Sequence, residues 1–285
     1  MPGRGAGAAS VGRRAVLAAG VAAPVLAGSA CGAAAPAAPR PSGSELLTYG
    51  ADASQFAELL RPKGPSRGTV VVLHGGFWLQ QYDISLARPL AEDLVGRGWT
   101  SLSVEYRRVG GGGGFPATLD DVSAAFDLLE GAGAAGGVVV ALGHSAGGQL
   151  AVWAAGRRRL ERWRAARVVP THVVSQAGVL DLRAAAEQDL GLGAVQDFLG
   201  GSPQDRPETY AAADPLGQVP VDVPVWCVHG TGDTTVPPSQ SRSYVEAALA
   251  AGGEATLVEV PGEHLDQVDP ASPAWARTVS LLEAL

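Results

Sequence analysis

The chain reads as an α/β domain with a mostly parallel central sheet, helices on both faces and a small cap insertion. Two observations carry that expectation. Short β-branched runs alternate with helix-compatible segments, and the clearest run, Val138-Val139-Val140-Ala141-Leu142, stops at a serine bracketed by glycines, Gly143-His144-Ser145-Ala146-Gly147. Strands of a parallel sheet are buried on both faces and so appear as near-continuous apolar runs, and the helices that cross between them keep a polar side.

Strands are expected at residues 69–73, 100–106, 137–142, 171–175, 225–230 and 255–260, with helices at about 116–129 and 146–159. The run Gly110 to Gly114 reads as a flexible loop near a pocket. Between about 178 and 223 the strand rhythm lapses into short helices and Pro/Gly turns, and this insertion is expected to form the cap. Residues 46–285 suit one large domain of this kind, with no second domain required.

Ser145 sits where a strand turns sharply into a helix. A G-x-S-x-G corner leaves no room for neighbouring side chains, and Gly143 and Gly147 supply that room. The helix that follows aims its first N–H groups at the reacting carbon, where negative charge develops. A serine hydroxyl is a weak nucleophile until a base takes its proton, so an acid and a base must follow it. Asp233 lies just past the strand Val225–Gly230, and His264 just past the strand Ala255–Val260. In a parallel sheet all these strand ends share one edge, so Ser145, Asp233 and His264 are expected to converge there. Asp222 precedes its strand, Asp266 and Asp269 break the chain order, and His144, His172 and His229 read as structural.

Acyl transfer also needs donors for an oxyanion. One is expected from the Ala146 N–H, the other from Gly76 or Phe77 in His74-Gly75-Gly76-Phe77-Trp78, with Gly75 shaping the turn. Trp78 and His144 are candidates for the substrate pocket, although His144 should point away from the hydroxyl.

These segments resemble the α/β-hydrolase superfamily, in the branch of hormone-sensitive-lipase-like esterases, bifunctional feruloyl/acetyl xylan esterases and kynurenine formamidases. The likeness runs from about Leu46 to Leu285 and includes Phe198-Leu199-Gly200-Gly201-Ser202-Pro203, Asp214-Pro215-Leu216 and His264-Leu265-Asp266-Gln267-Val268-Asp269-Pro270. The aromatic pair Phe77-Trp78 is similar to formamidase and feruloyl-esterase-like members. The resemblance implies an α/β-hydrolase fold and hydrolysis of a small ester or acylated substrate through an acyl-enzyme. Two alternatives stay open: an amide hydrolase of formamidase or peptidase type, and a hydrolase-like binding protein without catalysis. Val104-Glu105-Tyr106-Arg107 departs from the Asp-Tyr-Arg common in lipase-like members.

The first 30 residues differ in kind. Arg13-Arg14 precede a short acid-free run of small apolar residues, the pattern of a signal peptide, and the paired arginines suggest twin-arginine export, with a Sec signal as rival. Cys31 is a lipidation candidate, although Gly28 stands where a lipobox normally has Leu. The Ala/Pro-rich residues 31–45 read as a tether. Removing residues 1–30, which hold three arginines and no acid, takes the net charge from −7 to −10. So acidic a chain disfavours nucleic acid, and a membrane is expected only through the lipid anchor. The arginines from Arg157 to Arg167 read as solvated. With only Cys31 and Cys227 no internal disulfide is expected, and no cofactor or metal is implied. Mass spectrometry of the mature protein is expected to find the N-terminus at or near Cys31. A lipid-sized increment there means an envelope lipoprotein, an unmodified terminus means a secreted enzyme, and an intact Met1 terminus in cytosolic protein rejects export.

Overall fold

Residues 39–285 are described in the computed structural model; the expected signal segment, Cys31 and the tether up to residue 38 lie outside the described residues. Among the described residues eight strands form one sheet: β1 (Glu45–Thr48), β2 (Phe56–Leu60), β3 (Thr69–Leu73), β4 (Thr100–Val104), β5 (Val139–His144), β6 (His172–Gln176), β7 (Val225–Gly230) and β8 (Ala255–Val260), in the spatial order β1-β2-β4-β3-β5-β6-β7-β8. From β4 onward every pairing is parallel, while β1 and β2 add an antiparallel margin.

The sheet is covered on both faces because its strands alternate apolar side chains between two cores. Val71, Leu73 and Ala141 pack against α2 (Ala117–Gly131) and α3 (Ala146–Gly156), whereas Val70, Val72, Val140 and Leu142 pack against α1 (Arg88–Gly96) and α8 (Pro273–Glu283). Helix α3 is buried at all 11 positions, which is why it carries no polar face. Between β6 and β7 the chain forms α4 (Leu182–Glu187), α5 (Ala194–Leu199) and α6 (Pro207–Ala213), and α7 (Ser239–Ala250) crosses from β7 to β8.

Three features differ from the sequence reading. The margin strands β1 and β2 were not foreseen, because Glu58 interrupts the apolar run of β2. Glu58 is nevertheless buried, and two hydrogen bonds from Arg88 on α1, at 2.8 and 3.0 Å, satisfy its carboxylate. The glycines after Val109 do not form a free loop. Gly111 and Gly113 both donate to the Arg108 carbonyl, and Gly114 N–H donates to the Thr118 hydroxyl.

The third is Arg157, which is 0% exposed rather than solvated. Its guanidinium donates to the Ser123 hydroxyl and to the Ala154 and Val168 carbonyls, and it lies over the Phe126 ring at 5.0 Å. Of these acceptors the Ala154 carbonyl belongs to the last turn of α3, where helix carbonyls lack partners, while Ser123 lies on α2 and Val168 in the loop beyond. Burial lowers the guanidinium to about 10, which leaves it charged at neutral pH. Arg157→Ala leaves those buried acceptors unpaired, at roughly 1–3 kcal/mol each. Urea unfolding is expected to record a loss of about 3 kcal/mol or more, whereas Arg158→Ala should change stability by less than about 0.5 kcal/mol.

Candidate active site

Strand β5 ends at His144 and α3 begins at Ala146, so Ser145 is the corner between them. Its φ of 56° and ψ of −120° fall where residues with a side chain rarely sit, a strain of roughly 1–3 kcal/mol. Hydrogen bonds hold it there: Ser145 N–H donates to the Gln176 carbonyl at 2.8 Å, and the Ser145 carbonyl accepts from Gly148 N–H at 2.9 Å. A Cβ at Gly143 would stand 2.0 Å from the Gly147 carbonyl, and one at Gly147 would stand 2.1 Å from that of Leu73. Both positions admit only glycine for lack of space.

Asp233 and His264 follow β7 and β8 at the same sheet edge. His264 Nδ1 lies 2.7 Å from Asp233 Oδ2, and Asp233 Oδ1 accepts the N–H groups of Thr235 and Val236 at 2.9 Å each. Burial alone would raise this carboxyl. Hydrogen bonds from His229 and His264 and from the Val236 N–H outweigh burial and hold it well below the usual carboxylate range. His264 is thereby fixed with Nε2 directed away from the acid. Among the described residues neither Ser145 Oγ nor His264 Nε2 makes a hydrogen bond, so the two groups share one edge without being joined.

Two further histidines belong to this site: His229, which the sequence marked as structural, and His144, which it also offered as a pocket candidate. His229 lies 3.4 Å from Asp233 Oδ2, with Nε2 donating to the Val236 carbonyl at 2.9 Å and Nδ1 accepting from the Ser241 hydroxyl at 2.7 Å. His144 donates from Nε2 to the His264 carbonyl at 3.0 Å, and its ring lies 4.4 Å from that of His264. His144 is therefore no pocket wall: it supports the backbone of His264. Burial, helped by His264, lowers its pKa to about 3, so its ring is neutral.

The loop after β3 abuts the serine, since a Cβ at Gly75 would stand 2.9 Å from the His144 carbonyl and 3.1 Å from Ser145 Cβ. Phe77 and Trp78 both take positive φ, 51° and 57°. The N–H groups of Gly76, Phe77 and Ala146 make no hydrogen bond among the described residues. Trp78 corrects the pocket expectation. It is 0% exposed, donates to Gln149 Oε1 at 3.1 Å and stacks on Phe198 of α5 at 4.5 Å, so its apolar body belongs to the core. Phe77 is the half-buried member of the pair, its ring against Gly191.

The fold and this strand-edge constellation define an α/β-hydrolase. The chain belongs to the BD-FAE family, whose model matches residues 59–248. It is 26% identical to esterase LipC of Mycobacterium tuberculosis over 76% of its own length, but spans only 58% of LipC. It is similar in fold to a truncated carbohydrate esterase from gut microbiota, with a TM-score of 0.72, 19% identity and coverage of 86% of this chain and 96% of that one. It is also similar to esterase Est2 of Thermogutta terrifontis, with a TM-score of 0.69, 23% identity and coverage of 87% and 92%. Est2 has also been solved with butyrate bound and phosphonylated by sarin.

The neutral His144 has a consequence for stability. Unfolding returns it to an ordinary value of about 6.5, so between that pH and about 3 the unfolded chain binds the extra proton. Its contribution to stability is complete above pH ~6.5 and is lost as pH falls toward the folded value. His144→Gln keeps an N–H for the His264 carbonyl and cannot titrate. Its unfolding free energy is expected to fall less steeply with acid than that of the unaltered protein, by up to about 1.4 kcal/mol per pH unit. Urea titrations at several pH values measure the two slopes, and equal slopes would reject the buried neutral state.

Proposed function

We propose that this chain is a serine carboxylester hydrolase that works through an acyl-enzyme. The observation that carries the reading is the Asp233–His264 pair, 2.7 Å apart, at the sheet edge that also holds the strained serine corner and three unengaged backbone N–H groups. Ser145 Oγ attacks the ester carbonyl carbon while its proton passes to His264 Nε2. The carbonyl oxygen becomes an oxyanion and takes hydrogen bonds from Ala146 N–H and from Gly76 or Phe77 N–H. The intermediate collapses, the C–O bond to the alcohol breaks, and His264 returns the proton to the leaving alkoxide. Water, deprotonated by the same imidazole, then attacks the acyl-enzyme and releases the acid and free Ser145. Asp233 fixes the imidazole tautomer and stabilises the imidazolium. A catalytic hydrogen bond from Ser145 to His264 is of the kind that forms when substrate fills a site.

The names of the relatives, esterase and carbohydrate esterase, support an ester rather than an amide substrate. A small acylated molecule fits best, and an exported enzyme would meet acylated polysaccharides, environmental esters or envelope lipids. The formamidase reading loses part of its support with Trp78 placed in the core. A hydrolase-like binding protein has no need of a carboxylate held ionised against its histidine.

Ser145→Ala is expected to lower kcat on short p-nitrophenyl esters about 10⁴-fold or more while leaving the unfolding midpoint nearly unchanged. A fluorophosphonate probe should label the unaltered protein at Ser145. Full activity of the alanine variant, or no labelling of folded protein, rejects the reading. A large kcat/KM preference for N-formylkynurenine over acyl esters would turn it toward formamide hydrolysis.

A further inference from the structure

Three peptide carbonyls of the loop after β3 are tied down. The Gly75 oxygen lies 2.8 Å from His74 Nδ1, the Gly76 oxygen accepts from Leu79 N–H at 3.0 Å, and the Trp78 oxygen accepts from Val109 N–H at 2.8 Å. These peptides are trans, and a trans peptide is planar with C=O and N–H on opposite sides. Fixing the Gly75 carbonyl therefore aims the Gly76 N–H, and fixing the Gly76 carbonyl aims the Phe77 N–H. The direction of both candidate oxyanion donors is set from behind.

Behind the loop lies a buried ionic cluster that no step of the mechanism uses. Glu105 is 3% exposed. Its Oε2 accepts from Ile84 N–H at 2.8 Å, and its Oε1 accepts from Tyr106 N–H at 3.0 Å and pairs with the Arg108 guanidinium. Tyr106 stacks on the His74 ring at 4.3 Å and 7°, and its hydroxyl donates to the His74 carbonyl at 2.7 Å. Glu105 thus joins the far end of the loop, at Ile84, to the near end through Tyr106 and its contacts with His74. His74 Nε2 faces Glu105 Oε1 at 3.5 Å without a hydrogen-bond partner. Burial lowers His74 to about 3, so the ring has one proton, which Nδ1 needs for the Gly75 oxygen. A bare nitrogen beside a carboxylate is repelled unless a cation shares that carboxylate, and Arg108 is that cation.

We propose that Glu105, clamped by Arg108, is a positioning residue for the oxyanion loop: it braces His74 and Tyr106 so that the Gly75 carbonyl stays turned to His74 and the Gly76 and Phe77 N–H groups stay free for the oxyanion. The proposal rests on Ser145 being the nucleophile.

Glu105→Gln keeps an acceptor for Ile84 and the size of the side chain but removes the charge that pairs with the Arg108 guanidinium. Its kcat on p-nitrophenyl butyrate is expected to fall about ten- to a hundredfold, as for a misplaced oxyanion donor, with KM within about threefold. Affinity for a matching trifluoromethyl ketone, whose adduct carries the oxyanion, should fall by the same factor as kcat/KM. Amide exchange over residues 74–84 should quicken. His74→Phe keeps a ring on Tyr106 but removes the donor to Gly75, and the same pattern is expected of it. Folded Glu105→Gln protein with unchanged kcat and ketone affinity overturns the proposal, as does a loss confined to KM or to the melting temperature. Should that variant not fold, unchanged kcat and ketone affinity in His74→Phe overturn it. If the unaltered protein neither hydrolyses esters nor reacts at Ser145, the esterase reading is what fails, and exchange over residues 74–84 in the two variants still decides whether the cluster positions the loop.

Discussion

A Cβ on Gly147 would stand 2.1 Å from the Leu73 carbonyl and 2.6 Å from that of His74, so the serine corner and the loop after β3 meet backbone to backbone. That approach is possible because β3 and β5 are adjacent and parallel, with Leu73 opposite Gly143 in register, which brings both strand ends level at one edge. Ser145 and the loop His74–Trp78 come from segments about 70 residues apart in sequence. Once this contact is made, the direction of α3, the strained φ of Ser145 and the placement of Gly75 beside Ser145 follow from it. Helix α3 then points its free N-terminal N–H groups into the same space.

The polar groups around the site fall into two sets. Those that back the acid and the base are engaged: Asp233 accepts from two backbone N–H groups and from His264, His229 spends both nitrogens, and His144 is occupied with the His264 carbonyl. Those facing it, Ser145 Oγ, His264 Nε2 and the N–H groups of Gly76, Phe77 and Ala146, have no partner among the described residues. A buried group with a partner costs little, whereas one without a partner costs roughly 1–3 kcal/mol. The unpaired set is thus a place where a ligand with complementary polar atoms gains most. The spent set keeps the geometry from relaxing to satisfy it.

How much of this the sequence could reveal depended on range. The strand Thr69–Leu73 was legible to the residue because all five of its positions are buried, which writes the strand as an unbroken apolar run. The corner at Ser145 was legible because steric exclusion at Gly143 and Gly147 is a local demand. The strand β2 was not, since Glu58 is tolerated only by an arginine 30 residues away. Arg157 misled for the same reason: its acceptors Ser123 and Val168 lie outside its own helix. Trp78 and His144 were near the right residues in sequence, but the direction of a side chain is decided by tertiary partners, Phe198 and Gln149 in one case and His264 in the other. The supporting roles of His229 and His144 carried a signal after all. Each is a histidine at the carboxyl end of a parallel strand, the edge where such folds place their ligands.

The same tertiary contacts tie the short helices between β6 and β7 to the chemistry. Trp78 stacks on Phe198 of α5, Gln149 of α3 joins the Trp78 indole to the Ala213 carbonyl of α6, and Phe77 lies against Gly191, where a Cβ would come within 2.6 Å of the ring. The insertion therefore rests on Phe77 and Trp78, residues of the loop after β3. A packed interior transmits displacement because it has few voids to absorb it. A larger side chain in α5, or at Gly191, presses on Phe77 and Trp78 and through them on the peptides of that loop. The short helices between β6 and β7 and the loop after β3 are thus packed as one mechanical unit, so a change of volume in either is carried to the other.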